Sequence, residues 1–114
     1  MKKHLLLSLF FITLFASSLL LASSVGKIAG TVIEKGTGEP LPFANVFVDG
    51  TTMGAATDID GNFTILNVAP GLYNITASVV GFQKVTITEV RVNVDFTTRL
   101  NFELTSGSVT MEAV

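Results

Sequence analysis

The 114-residue sequence contains no cysteine and no tryptophan, and its one histidine is His4, close to the N-terminus. Because a Ser-His or Cys-His nucleophile pair needs histidine or cysteine, neither pair can be assembled in the body of the chain. Zinc and other transition-metal sites built on nitrogen and sulfur ligands are excluded for the same reason. Disulfide bonds are excluded as well, so core packing alone must hold the fold. We therefore expect no enzyme activity and no catalytic, cofactor-binding or metal-ligating residues.

The first 24 residues are typical of a secretory signal peptide. The basic start Met1–His4 precedes an almost unbroken apolar run, Leu5–Leu21, and small residues close the segment at Ala22–Ser24. A run of about 17 residues is at the lower limit for a membrane-spanning helix, so a short anchor is the alternative. No stop-transfer charges follow the run, which favours cleavage. We predict that residues 1–24 are removed, that the mature chain begins at Val25, and that it is exported.

The predicted mature chain has few charged residues and a slight acidic excess. Loss of Lys2 and Lys3 leaves five basic and nine acidic residues, a formal net charge of −4. Nucleic acids and anionic lipid surfaces are bound through clusters of lysine and arginine. No such cluster is present, so nucleic acid is not an expected partner.

More than a third of residues 25–114 are valine, threonine or isoleucine, whose branched side chains suit a pleated strand. Glycine and proline recur at intervals of roughly ten residues, and no segment sustains a helical period. The alternation of apolar and polar residues predicts an all-β sandwich of about seven short strands and no helix. The predicted strands cover residues 27–34, 44–49, 54–57, 62–68, 72–80, a segment starting at Val85, and a last strand ending at Leu104.

The same alternation predicts which side chains face the core. The apolar parity changes between Val85–Ile87 and Val90–Val94, which indicates a bulge or strand break near Thr88–Glu89. From Thr105 onwards the alternation fades, and Ser106–Ser108 predicts a flexible joint. The side chains predicted to point inward are Ile28, Gly30, Val32, Ala44, Val46, Val48, Phe63, Ile65, Tyr73, Ile75, Ala77, Val79, Val85, Ile87, Leu100, Phe102 and Leu104.

Asp58 and Asp60 form a close acidic pair whose spacing invites a calcium interpretation. The EF-hand pattern fails, because its sixth position is Phe63 instead of glycine and its twelfth is Ala69 instead of glutamate. Paired carboxylates also suit glycoside hydrolysis, but so small a sandwich offers little cleft for a sugar. We predict instead a turn in which Asp58 or Asp60 accepts hydrogen bonds from backbone N–H groups and Gly61 has a positive φ.

Two further patterns are weaker. Glycosylation-type triplets begin at Asn62 and Asn74, but a threonine-rich strand meets that pattern by chance and we assign them no role. Four phenylalanines cannot all lie in the core of so small a domain, namely Phe43, Phe47, Phe82 and Phe96. They are expected either to pack at the rim between two sheets or to form an exposed face that binds sugar rings or a partner protein.

Several segments resemble the carboxypeptidase-regulatory-like domain family. They are Gly26–Val32, Thr37–Val46, Gly50–Phe63, Val68–Tyr73 and Val80–Phe82, and their turns follow the family's order over nearly all of residues 26–104. The resemblance implies a transthyretin-like, seven-stranded β-sandwich over residues 25–104 that has no catalytic residues of its own. Phe43 departs from the family, which more often has glycine there.

In exported bacterial proteins, domains of this kind very often precede a TonB-dependent outer-membrane receptor. Residues Ser108–Val114 are similar to the segment that leads in such receptors to the TonB box and plug. The resemblance implies an accessory domain at the periplasmic face of the outer membrane that serves nutrient uptake, with residues 105–114 as its linker. The expected partners are the plug and barrel of the same receptor, and TonB. The sequence would then be the N-terminal piece of a longer protein.

Two other classes of function stay open at this point. One is a carbohydrate-binding-like sandwich that uses exposed phenylalanines and takes a carbohydrate as its partner. The other is a structural accessory domain beside a secreted or surface protein such as a peptidase. In the receptor case Val109 and Met111, two residues apart, would share one side of an extended tail that could pair with a partner's sheet edge. The alternative is that the tail is an inert linker or an eighth strand that closes the sandwich.

Overall fold

The computed structural model describes residues 24–107, which form seven strands in two sheets. The three-stranded sheet has the order β4-β1-β7 and the four-stranded sheet has the order β3-β2-β5-β6. The strands are β1 (Gly26–Glu34), β2 (Asn45–Val48), β3 (Gly54–Ala56), β4 (Asn62–Val68), β5 (Gly71–Ser78), β6 (Val85–Val92) and β7 (Thr97–Leu104). The predicted all-β, seven-stranded sandwich is confirmed. No helix in the described part of the chain is long and apolar enough to cross a membrane.

The core lies between the sheets and is built from the inward side of each strand. Phe63 of β4 and Phe102 of β7 meet in it, with ring centroids 6.0 Å apart. Their neighbours are largely aliphatic and β-branched, because inward and outward positions alternate along each strand. Most predicted core residues are buried, among them Ile28, Val32, Ala44, Val46, Val48, Ile65, Ile75, Ala77 and Leu104.

The predicted irregularity in the sixth strand is a β-bulge. Thr88 and Glu89 together oppose Asn74, where the pairing of β5 with β6 shifts by one residue. Glu89 has a φ of 55°, and its N–H donates to Asn74 Oδ1 at 3.2 Å. The extra residue restores the inward orientation of Val90 after Ile87 and so explains the parity change in the sequence.

Five residues predicted to be core are only partly buried, namely Tyr73, Val79, Val85, Ile87 and Leu100. Val79 and Tyr73 pack against the core from its edge. The tyrosine lies at an end of the sandwich, where its hydroxyl donates to the carbonyl oxygen of Ala69 at 2.7 Å. A Cβ added at Gly71 would lie 3.6 Å from the Tyr73 ring. Tyr73 therefore ties a strand to the turn before it, as the tyrosine corner of immunoglobulin-like sandwiches does.

The parallel pairing of β1 with β7 gives the sandwich two distinct ends. The chain enters β1 at one end, here called the Gly26 end, and leaves β7 at the other, here called the Gly107 end. Nine residues of β1 separate the two ends, roughly 26 Å at ~3.3 Å per residue. The loops at the Gly107 end are residues 35–44, 57–61 and 79–84, and residues 105–107 follow β7 there.

The predicted flexible linker does not begin at Thr105. The carbonyl oxygen of Thr105 accepts from Gln83 N–H at 2.9 Å, and Gly107 N–H donates to the carbonyl oxygen of Gly81 at 2.8 Å. Ser106 forms the β-bridge between them, opposite Phe82. These three residues are thus attached to the sandwich through backbone groups. The rest of the predicted linker, 108–114, and the predicted signal peptide apart from Ser24 lie outside the described residues.

Candidate interaction surface

Three apolar side chains at the Gly107 end are almost fully exposed. Val80, Phe43 and Ile59 are 98%, 79% and 77% exposed, more than any other large hydrophobic residue of the described chain. Each stands on a different loop of this end, and together they are called the Gly107-end patch below. Exposed apolar clusters of this kind on small domains are typical of interaction surfaces.

Buried hydrogen bonds of Thr57 hold the loop that carries Phe43. The Thr57 hydroxyl donates to the carbonyl oxygen of Leu41 at 2.6 Å and accepts from Ala44 N–H at 2.8 Å. Phe43 N–H in turn donates to the carbonyl oxygen of Thr57 at 3.0 Å. Leu41 and Ala44 are both buried, and Phe43, the second of the two residues between them on this tight loop, is directed outward. No sequence pattern indicates this role of Thr57, because a threonine after a short strand normally faces solvent.

The backbone of Phe43 is strained. Its φ of 59° lies in the left-handed region, which costs a residue with a Cβ roughly 1–2 kcal/mol and is rare for a bulky side chain. The departure from glycine noted in the sequence therefore falls where glycine would be easiest. Strain and exposure are both unfavourable within the domain, and such a combination is more typical of functional positions than of structural ones.

Ile59 is carried by the predicted aspartate turn, whose geometry is confirmed. Asp58 Oδ1 accepts from the N–H groups of Asp60 and Asn62, both at 2.9 Å. Gly61 has a φ of 78°, and a Cβ there would lie 2.7 Å from the carbonyl oxygen of Val32. The carboxylate is thus occupied in shaping the turn. Within residues 24–107, no three acidic side chains are grouped as they would be around a metal ion.

Val80 lies where the chain leaves the domain. The pairing of β2 with β5 ends at Asn45 opposite Ser78, so Phe43 and Val80 each lie two residues beyond the same pair. Gly81 follows Val80 and binds Gly107. The surrounding loops also expose the carboxylates of Glu39, Asp58 and Asp60 and the ammonium groups of Lys35 and Lys84. The patch is therefore an apolar surface with charged residues of both signs beside it, adjacent to the last described residue.

A shallow cleft marks the opposite, Gly26 end. Its volume is about 350 Å³, and exposed Leu66 and Phe96 line it together with Lys27 and Asp95. The N–H of Asp95 donates to the carbonyl oxygen of Val25 at 3.0 Å, so the start of the chain forms one wall. This mixture of one cation, one carboxylate and apolar walls contains no pair of groups suited to acid–base or nucleophilic chemistry.

The four phenylalanines in question do not form one aromatic face. Phe43 and Phe96 are exposed at opposite ends of the sandwich. Phe82 packs against the core, and Phe47 is half-buried on the outer surface of the four-stranded sheet. Of the two alternatives for these residues, a single exposed aromatic face is not formed, because Phe43 and Phe96 lie at opposite ends and Phe82 packs against the core.

The outer surface around Phe47 carries a short hydrogen-bonded row. Thr76, opposite Phe47 on β5, is only 4% exposed. Its hydroxyl donates to Asp49 Oδ1 at 2.7 Å and lies 2.7 Å from the hydroxyl of Thr86. Asn74, which begins one of the glycosylation-type triplets, is exposed on the same strand. This surface is polar with one aromatic ring at its centre.

Comparison with known proteins identifies a family. The family model described as "CarboxypepD_reg-like domain" matches residues 28–114. No curated protein matches the chain closely enough to count as a relative. The family match extends seven residues past Gly107, the last residue that the structure describes.

Solved structures share the fold at low sequence identity. One chain of a type II cohesin–X-dockerin complex from Acetivibrio cellulolyticus is 25% identical, with a TM-score of 0.56, over 68% of this chain and 52% of its own length. A Bacteroides uniformis protein described as a candidate carbohydrate-binding protein is 16% identical, with a TM-score of 0.53, over 68% of this chain and 40% of its own length. The minor pilin of Streptococcus agalactiae is 13% identical, with a TM-score of 0.53, over 80% of this chain and 48% of its own length. This chain thus spans about half, 52%, of the length of the first of these structures, the chain from the cohesin–X-dockerin complex.

Proposed function

We propose, from the premise that this chain belongs to the CarboxypepD_reg-like domain family, that it is a non-enzymatic accessory domain of a TonB-dependent outer-membrane receptor. In this proposal the domain is exported, lies at the periplasmic face of the outer membrane, and joins the receptor's plug and barrel through residues 108–114. Its task is positional: it holds the segment that TonB engages at a fixed place during nutrient uptake.

The observation that carries the proposal is the separation of the two ends. Because β1 and β7 are parallel, the chain enters and leaves the sandwich on opposite sides. A domain of this topology can be placed in series within a longer polypeptide and keeps its neighbours roughly 26 Å apart, the length of nine strand residues. The backbone bonds at Thr105 and Gly107 fix the point of departure. A fixed departure point is what a positioning domain needs.

Site-specific photocrosslinking in a Gram-negative host tests the proposed partner. A benzoylphenylalanine introduced at Glu112 should form an adduct with TonB that an anti-TonB antibody detects. The same probe at Thr64, which is exposed on the outer surface of the three-stranded sheet, is the matched control and should form none. Adducts at both positions, or at neither, would contradict the proposal.

Fractionation tests the proposed location separately. The protein should be recovered with the outer membrane, and N-terminal sequencing should begin at Val25. Recovery of a chain that retains Met1 from the cytosol would contradict export. This result is independent of the TonB adduct, so the two parts of the proposal can fail separately.

A carbohydrate-binding module is the second candidate function, and the surface around Phe47 favours it. A half-buried ring flanked by Asp49, Thr76 and Thr86 combines an apolar face with hydrogen-bonding groups, as sugar-binding surfaces do. Affinity electrophoresis through gels that contain xylan or β-glucan would detect such binding as retardation. Phe47→Ala should abolish the retardation, whereas Phe96→Ala at the distant Gly26 end should leave it unchanged. Equal retardation of both variants would rule out this surface.

A further inference from the structure

The Gly107-end patch is uncovered within residues 24–107, and the chain continues directly beside it. Gly107 is bound to the carbonyl oxygen of Gly81 at 2.8 Å, and Val80 is the residue before Gly81. We propose that residues 108–114 of the same chain cover the patch of Phe43, Ile59 and Val80. This inference does not depend on the receptor context proposed above.

The segment is long enough to cover the patch. Seven residues in extended form span about 23 Å at ~3.3 Å per residue. Phe43 precedes β2 and Val80 follows β5, two neighbouring strands whose spacing is about 5 Å. Ile59 lies beyond β3, one further strand across the sheet. All three side chains are therefore within reach of a segment that starts at Gly107.

Only one side of residues 108–114 has the apolar composition needed to cover such a surface. Val109, Met111 and Ala113 alternate with Thr110 and Glu112. In an extended chain the first three would face the patch and the other two would face solvent. The family match includes these residues, so the family's sequence pattern does not stop at the last described strand.

The backbone strain at Phe43 is explained if its ring makes an apolar contact with the tail. Glycine would hold the same loop without backbone strain but would contribute no apolar surface. A ring covered by the tail would gain buried area to offset the left-handed φ. Without a cover, Phe43 has a strained backbone and a ring that is 79% exposed, and no buried apolar area offsets the strain.

A second copy of the chain is the less suitable occupant. The loops of this end carry the carboxylates of Glu39, Asp58 and Asp60 and the ammonium groups of Lys35 and Lys84, so two such ends brought face to face would set one acidic excess against another. Like charges at an interface are unfavourable. The tail carries a single carboxylate, Glu112, on the side that would face solvent.

Amide hydrogen exchange of the purified full chain tests the cover. The amides of residues 109–113 should exchange at least about tenfold more slowly than their unstructured rates, whereas an uncovered tail would exchange at those rates. Phe43→Asn keeps a residue that tolerates a positive φ but removes the ring, and should return the amides to unstructured rates. Val80→Asn should have the same effect. Leu72→Asn, which changes an exposed leucine on β5 near the Gly26 end, is the matched control and should leave exchange slow.

Three outcomes would overturn the proposal. The first is exchange of residues 109–113 at unstructured rates in the parent chain. The second is slow exchange that persists in both Phe43→Asn and Val80→Asn, which would place the tail elsewhere. The third is slow exchange that disappears on dilution together with a doubled mass in light scattering, which would identify a second copy as the occupant.

Discussion

The two ends of the sandwich use left-handed backbone in opposite ways. At the Gly26 end, Asn67 and Asp95 have φ values of 59° and 55°, and both residue types tolerate this region because their short polar side chains bond locally. At the Gly107 end the same region is occupied by Phe43. The Gly26 end thus satisfies its geometry with suitable residues, while the Gly107 end keeps an unsuitable one on its surface. This difference supports the proposal that the Gly107 end is the one that makes a contact.

A second difference concerns how each end is held. At the Gly107 end, Thr57 makes two hydrogen bonds in a fully buried position. At the Gly26 end, Thr98 donates one exposed hydrogen bond to the carbonyl oxygen of Arg91 at 2.8 Å. The exposed apolar loops of the Gly107 end thus stand on a rigid, internally bonded support. Such a support keeps an interaction surface in one arrangement before its partner arrives.

The largest expected effect comes from removing that support. Thr57→Val keeps the shape of the side chain but leaves Ala44 N–H and the carbonyl oxygen of Leu41 buried without a partner. Because each such group costs about 1–3 kcal/mol, we expect the free energy of unfolding to fall by about 3 kcal/mol, measured by urea denaturation. The matched change at the other end, Thr98→Val, should cost less than about 1 kcal/mol. Equal losses would show that the two ends are held alike.

Glycine replacement sharpens the comparison next. Gly61 at the Gly107 end and Gly50 at the Gly26 end have nearly the same φ, 78° and 77°. A Cβ at Gly61 meets the carbonyl oxygen of Val32 at 2.7 Å, whereas a Cβ at Gly50 meets nothing within 4 Å. Gly61→Ala should therefore cost about 2 kcal/mol or more in urea denaturation, and Gly50→Ala only the backbone term of about 1 kcal/mol. A loss at Gly50 as large as that at Gly61 would mean that the close approach to Val32 is unimportant.

Much of this fold could be predicted because its information is local and periodic. Alternation placed the strands, a change of parity located the bulge at Thr88–Glu89, and the Asp58 side chain with Gly61 defined a turn. Each of these is a pattern of neighbouring side chains.

The features of the candidate surface depend on contacts that leave no such pattern. The buried hydroxyl of Thr57 makes hydrogen bonds to backbone groups 13 and 16 positions away in the sequence. Thr105–Gly107 are attached to the sandwich by backbone groups alone. Tyr73 lies on the inward side of its strand, as core residues do, but it is at the end of the sandwich. Its side chain is therefore only partly buried. The Gly107-end patch itself depends on which loops the parallel β1–β7 pair brings together.

A smaller effect is expected from the tyrosine that closes the Gly26 end. Tyr73→Phe removes the hydroxyl that donates to the carbonyl oxygen of Ala69 at 2.7 Å and keeps the ring. The free energy of unfolding should fall by about 1 kcal/mol, the net value of one such hydrogen bond. Thermal unfolding followed by circular dichroism is suited to the measurement. An unchanged midpoint would show that the ring alone ties β5 to its turn.

The smallest expected effect comes from comparing the residues with left-handed backbone at the two ends, Phe43 and Asn67. Phe43→Asn relieves strain of roughly 1–2 kcal/mol but also removes the contacts that we attribute to the ring, so the two terms nearly cancel. Urea denaturation of the full chain should show a change within about 0.5 kcal/mol. Asn67→Ala, at the other end, replaces a tolerant residue with one that has no compensating contact and should cost about 1 kcal/mol. If Phe43→Asn instead stabilised the chain by more than about 1 kcal/mol, the ring would make no contact that offsets its strain. The two ends would then differ only in the backbone strain at Phe43.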